Sequence, residues 1–206
     1  MNLEDGDRRT AAPPTPARIV DTSKFDLAAA ERAAHDLLRA MGADLDHPGL
    51  LDTPRRVAAS FAELLTPAEF GATLFRNEGY DELVLVRDIA FQSLCMHHLL
   101  PFHGVAHVAY LPGDCIIGIS KLARVVEAFA RDLQLQERMT MQIADWLEEE
   151  LSPRGVGVVL SAEHMCMTIR GVRKPGSRTV TSAVRGMLRQ DARTREEFFS
   201  LVERCG

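Results

Sequence analysis

The stretch SLCMHHLLPFHG, Ser93 to Gly104, gathers one cysteine and three histidines into nine residues of a chain that holds four cysteines and seven histidines in all. Cys95 and His98 have the C-x2-H spacing that lets two side chains of one tight turn reach a single ion. Thiolate and imidazole are zinc ligands, bound at roughly 2.0–2.3 Å. A third ligand candidate comes in SAEHMCMTIRG, where Cys166 falls on a predicted strand with His164 two residues earlier on the same face. Counting Cys95, His98 and Cys166 as the ligands leaves one coordination position open, the arrangement of a catalytic zinc and not of a closed structural one. Such an ion lowers the pKa of bound water toward roughly 7. His97 and His164, unligated beside it, lie in the pKa range suited to moving protons. Three other readings compete. Cys95 and Cys166 could form a disulfide; His97 or His164 could be a fourth ligand that closes the site; and His103 and His107 read as ordinary packed or surface histidines. Cys115 and Cys205 read as structural.

A second group is basic. In GISKLAR, Ser120 stands where a helix N-cap belongs, and Lys121 and Arg124 fall in the first turn. Cations are unfavourable there, because the unsatisfied amides already carry partial positive charge, and a bound anion reverses that balance. DTPRR repeats the pattern with Arg55 and Arg56, and IRGVRKPGSR adds Arg170, Arg173, Lys174 and Arg178 just past the proposed zinc strand. Three such groups in an acidic chain point to a polyphosphate. Glu137 opens a further helix, where it either complements the helix dipole or accepts two N–H bonds from a guanine edge.

The elements that must position these residues follow from the apolar period. Residues 1–22 are polar and rich in Pro and Ala, and read as a flexible tail. A helical segment spans 23–70. Leu27, Ala30, Ala34, Leu37 and Met41 form one stripe, with Asp26 as N-cap and Gly42 just past the end. Val57, Phe61 and Leu64 form another, behind Asp52 or Thr53 as cap and Pro54 in the first turn. Residues 66–81 are turn-rich without a period. Residues 71–206 are expected to form the catalytic domain. ELVLVRDIAFQSL and HGVAHVAYLP read as strands, SKLARVVEAFARDL and QERMTMQIADWLEEEL as helices. GVGVVLSAEHMCMTIRGV reads as a strand pair or one long bent strand, TVTSAVRGML as another strand, and TREEFFSLVERC as a terminal helix. That order predicts an α+β fold with an antiparallel sheet.

Composition narrows the classes. A chain of 206 residues, 46% hydrophobic and 26% charged, can bury a core beneath an ordinary polar surface. A net charge of −5 argues against nonspecific nucleic-acid binding. No apolar run reaches the roughly 18 residues of a membrane span, and the N-terminus lacks a signal-peptide stretch. The expected compartment is a reducing cytoplasm, where a spaced Cys/His set suggests a metal or catalysis.

SLCMHHLLPFHGVAHVAYLP, GISKLARVVEAFA, LQLQERMTMQIADWL and AEHMCMTIRGVRKPGSRTVTSAVRGML together closely resemble the GTP cyclohydrolase I family, over roughly residues 25–203. The resemblance implies a tunnelling fold, an antiparallel sheet backed by two helices with an N-terminal helical part. It implies a toroidal homodecamer of two pentamers with active sites between subunits. The implied reaction converts GTP and water to 7,8-dihydroneopterin triphosphate and formate, an early step of folate synthesis, without a redox cofactor. Carried onto this sequence, the zinc ligands are Cys95, His98 and Cys166, and the active-site histidines are His97 and His164. Glu137 is the guanine-binding carboxylate, and Ser120 sits near the ribose. Lys121, Arg124 and Arg170 are triphosphate contacts, with Arg56 another. The resemblance also implies protonation of N7 by His97 or His164 as water adds at C8, followed by proton transfers that suit His164 and Ser120.

Two positions depart from the family pattern. Met96 stands where C-E-H-H has its glutamate, and Ala59 where a lysine is common. Loss of an acid beside a metal removes a negative charge and an acceptor for the ligands, which leaves a weakened or specialised paralogue as an alternative. A same-fold reductase of deazapurine nitriles is another. It needs a cysteine nucleophile, and the retained Cys95, His98 and Cys166 set speaks against it.

Overall fold

The computed structural model describes residues 8–11, 18–68 and 71–203, with side chains from residue 18 onward. Its centre is a five-stranded sheet. The long strands are β3 (Val84–Cys95), β4 (Pro101–Leu111), β7 (Gly155–His164) and β8 (Thr179–Gly186), with the two-residue β6 (Leu133–Gln134) at one edge. They lie in the order β6-β3-β4-β7-β8, antiparallel throughout except that β6 runs parallel to the end of β3. Helices α3 (Ile119–Ala130) and α4 (Gln136–Leu151) back the sheet, α3 against β3 and α4 against β7 and β8. The apolar periods account for this. Leu122, Val125, Val126 and Phe129 of α3, and Met139, Ile143, Trp146 and Leu147 of α4, are all buried against Phe102, Tyr110 and Leu160 of the strands. Each such side chain contributes about 1.5–3 kcal/mol on burial. This α+β architecture is the expected one.

The opposite face carries a smaller core of Ala109, Leu111, Val159, Leu188 and Phe198, roofed by the short α6 (Met187–Gln190) and by α7 (Ala192–Glu203). Four short strands were not legible in the sequence, β6 and a separate three-stranded set. Residues Ala72–Arg76 form β2, paired with Arg8–Ala11 (β1) on one side and Cys115–Ile117 (β5) on the other. Its five residues bury only Ala72 and Leu74, and a signal that short is lost among turn residues.

Among the described residues, the stretch read as a tail is anchored to the rest of the fold in two places. One is β1. The other is Asp132, 2% exposed, whose carboxylate accepts from the Ile19 amide at 2.8 Å and the Val20 amide at 3.0 Å. The Arg18 guanidinium adds bonds to the carbonyls of Leu65 and Arg131. Residues 1–7 and 12–17 of that stretch lie outside the described residues. The Asp132 contact joins groups 113 residues apart, so no local pattern could announce it.

The N-terminal helices are α1 (Leu27–Ala40), capped by the Asp26 carboxylate on the Ala29 amide, and α2 (Thr53–Leu65), with Pro54 in its first turn. They pack on each other. The predicted stripe of α1 is only partly covered within the chain: Ala34 is buried, whereas Leu27, Leu37 and Met41 are 47%, 60% and 66% exposed. The stripe exists, but most of it faces outward.

Registration of β4 with its neighbours positions the chemistry. Leu94 lies opposite Pro101, and Phe102 opposite His164, so the β3–β4 turn and the end of β7 meet at one corner of the sheet. Gly104 makes the close approach feasible, since a Cβ there would stand 2.0 Å from the Ser161 carbonyl oxygen.

Further along β4, His107 is packed, as its sequence reading allowed. It is 8% exposed, and its Nδ1 accepts the Asp88 amide at 3.3 Å where β3 bulges. Burial pushes its pKa down; the Asp88 charge works upward and Arg87 downward. The folded state therefore binds fewer protons here than the unfolded chain, and stability is lost as pH falls below the ordinary histidine range of about 6.5. His107→Gln is expected to flatten the fall in urea midpoint between pH 7 and pH 5. A slope equal to or steeper than that of the parent would contradict this.

Candidate active site

The turn that carries the first two candidate ligands is fixed by its own backbone. The Cys95 amide donates to the Leu100 carbonyl at 2.9 Å, and the Leu99 amide returns to the Cys95 carbonyl at 2.9 Å. Leu99 completes the reversal in the left-handed region, at φ 55°. The Met96 amide donates to the Gln134 carbonyl, which ties the turn to β6. Cys95 is buried, Met96 half-buried, and His97 and His98 exposed.

The third candidate ligand arrives by a different element from the one predicted. Cys166 is not on the strand: β7 ends at His164, and Met165–Thr168 forms a single helical turn, α5. That turn swings Cys166 toward Cys95. The ligand atoms of Cys95, His98 and Cys166 all lie within 4.8 Å of one another, with Cys95 Sγ 3.8 Å from His98 Nδ1. Atoms bound tetrahedrally at 2.0–2.3 Å stand roughly 3.3–3.8 Å apart, so the trio needs only slight closure to hold a zinc-sized ion. Both cysteines are free thiols, not a disulfide. The Cys166 thiol is pushed up by burial first, then by the charge and hydrogen bond of Cys95, with Arg170 working the other way. Two adjacent thiols that resist joint ionisation are a donor set that a divalent cation would compensate.

Neither remaining histidine joins that set. His97 sits edge-on to His98, with ring centroids 6.2 Å apart. His164 turns its Nε2 to the Gln136 side-chain oxygen at 2.7 Å and lies flat on the buried ring of Phe102, centroids 4.6 Å apart and planes 2° from parallel. Burial lowers the His164 pKa, and the Glu137 charge offsets part of that. Sequence reasoning missed Gln136. Its place beside Glu137 at the start of α4 was visible, but its contact with β7 depends on sheet registration.

The basic residues fall into two kinds. Lys121, half-buried, and Arg124 and Arg170, both exposed, have no carboxylate within ion-pairing distance among the described residues. By contrast, Arg56 and Arg55 share Asp52, at 3.2 and 3.8 Å, and Arg178 is tied to Ser161 of β7. The uncompensated helix start therefore exists at α3 and not at α2. Arg56 lies on α2, whose chief contact is α1. Ser120 is not the N-cap either: Gly118 holds that position, and Ser120 is the exposed second residue of α3. Glu137 is exposed at the second position of α4. A cavity of about 370 Å³ between β3 and α3 is lined by Phe91, Ala123, Arg124 and Glu127, among others, and by none of the thiol–imidazole trio.

The family model for GTP cyclohydrolase I matches residues 30–203. Among curated proteins, the chain is 55% identical to GTP cyclohydrolase 1 of Bacillus pumilus, over 84% of this chain and 94% of that one. It is 54% identical to GTP cyclohydrolase 1 of Bacillus subtilis with the same coverage, and 51% identical to that of Streptococcus mutans over 84% and 92%. Among solved structures it matches an archaeosine synthase QueF-Like in the apo form. That likeness has a TM-score of 0.42 and 16% identity over 50% of this chain and 93% of that one.

Proposed function

The chain belongs to the GTP cyclohydrolase I family, and from that premise we propose that Cys95, His98 and Cys166 hold a zinc ion beside the guanine of bound GTP. Its reaction is the family's, conversion of GTP and water to 7,8-dihydroneopterin triphosphate and formate. The observation that supports the proposed site best is the meeting of two thiols and one imidazole from separate elements at one corner of the sheet. Zinc, when bound there, supplies Lewis acidity that brings water toward a pKa of about 7.

The chain's own groups do the rest. His97 and His164 flank the trio, and an imidazole there protonates N7 as water adds at C8. A second hydrolysis frees C8 as formate. Ring opening of the ribose, rearrangement and reclosure onto the diaminopyrimidine then return one water; these steps need proton transfers at carbon and oxygen, which His164 and the Ser120 hydroxyl supply. Glu137 accepts two N–H bonds from the guanine edge. Lys121 and Arg124 at the start of α3, and Arg170 after α5, all without an acidic partner among the described residues, receive the triphosphate, and the α3 amides add to the field. Arg56 reaches it from another subunit.

That last role requires assembly, and we propose the homodecamer of two pentamers. The outward stripe of Leu27, Leu37 and Met41 on α1 is the kind of surface a neighbouring subunit covers. The product is expected to feed folate synthesis, and the free thiols suit a reducing cytoplasm. No helix among the described residues is long and apolar enough to cross a membrane.

The test is GTP turnover by zinc-loaded protein, followed as pterin fluorescence after oxidation. Lys121→Ala is expected to raise KM by about tenfold to a hundredfold, the worth of one charge-assisted bond, with kcat changed less. No turnover by the folded, metal-replete oligomer would refute the reading, and an unchanged KM would remove Lys121 from the phosphate site.

A further inference from the structure

Gln136 is 1% exposed, the first residue of α4, and every polar atom of its side chain is engaged. Its amide nitrogen donates to the carbonyls of Leu160 at 3.2 Å and Thr179 at 2.9 Å, and meets the Thr181 hydroxyl at 3.1 Å. Those two carbonyls only accept, so they settle which end of the amide is nitrogen. The oxygen must then face His164, where it stands 2.7 Å from Nε2. A carbonyl oxygen only accepts as well, so Nε2 must carry a hydrogen.

From this geometry we propose that Gln136 is a positioning residue that fixes the His164 ring and holds it, when neutral, as the Nε2–H tautomer. Phe102 sets the plane of the ring by stacking; Gln136 sets its rotation within that plane. The anchor is stiff because the Gln136 amide is held by β7 and β8 at once, through Leu160, Thr179 and Thr181. The Thr140 hydroxyl adds a brace, donating to the Gln136 carbonyl at 2.7 Å and lying 2.7 Å from the Thr181 hydroxyl. The inference rests on the proposed role of His164 in proton transfer, since a tautomer matters only for a ring that exchanges protons.

Two measurements test it. Magic-angle-spinning NMR of the zinc-loaded protein carrying 15N-histidine, with His164→Asn identifying the signal, is expected to show neutral His164 protonated at Nε2. A neutral ring protonated at Nδ1 would overturn the proposal whatever the activity. Gln136→Met keeps the length of the side chain and removes both polar ends. Its kcat is expected to fall by about tenfold to a hundredfold, as for loss of other groups that orient active-site imidazoles, with KM and zinc content near those of the parent. A folded variant with unchanged kcat would also overturn it. If the parent itself turned over no GTP, the catalytic reading would fail, and the NMR result would still decide the tautomer.

Discussion

Cys166→Ser is expected to purify without stoichiometric zinc and to turn over GTP at least about a thousandfold more slowly than the parent. Serine keeps the shape of the side chain but not its ligand chemistry, because a hydroxyl is far harder to ionise than a thiol and binds zinc poorly. Only Cys95 and His98 then remain, both from one turn. Metal assistance is worth several kcal/mol to such reactions, and about 4 kcal/mol is a thousandfold in rate. Little loss of folding is expected, since Cys166 lies on a single turn of helix, only half-buried at the edge of the core. Metal analysis beside circular dichroism separates the two effects. Undiminished turnover by metal-free Cys166→Ser protein would refute the proposed centre.

His164→Ala should do the converse, keeping its zinc while kcat drops by about a hundredfold to ten-thousandfold, the usual worth of a positioned acid–base group. The distinction follows from where its ring points. Nε2 is committed to Gln136 and the ring face to Phe102, and neither ring nitrogen of His164 is among the candidate ligand atoms that cluster at Cys95, His98 and Cys166. Because the reaction has separate hydrolytic and rearrangement stages, the variant is also expected to accumulate a ring-opened product that still carries the ribose, visible by mass spectrometry. Loss of zinc from His164→Ala would instead make this residue a fourth ligand and close the site.

The members of the thiol–imidazole trio were legible because thiols and imidazoles are rare enough for spacing to carry information. The manner of their meeting was not. Cys166 reaches the turn at Cys95 through one helical turn after β7, an element too short to leave a period. The core helices α3 and α4 were read correctly since each buries one continuous stripe against the sheet. For α1 the same reasoning found the stripe but not its cover, because a period reports that a face is apolar and not which molecule buries it. Gln136 was hidden for another reason: a buried glutamine has no signature until registration places β7 and β8 around it. Ser120 was misplaced because α3 begins two residues earlier than its apolar stripe suggested, with Gly118 as the N-cap and no side-chain cap bond. Met96 remains the main irregularity of the site, half-buried with its amide bonded to the Gln134 carbonyl and its side chain bringing no charge to the ligands.

The most direct test of the central claim is to follow GTP labelled with 13C at C8 through reaction with the zinc-loaded protein. The label is predicted to appear as formate, one molecule for each molecule of 7,8-dihydroneopterin triphosphate formed, and to stop appearing when zinc is removed by a chelator and resume when it is restored. Label that stays in the purine ring, or formate release that continues unchanged without metal, would contradict the account.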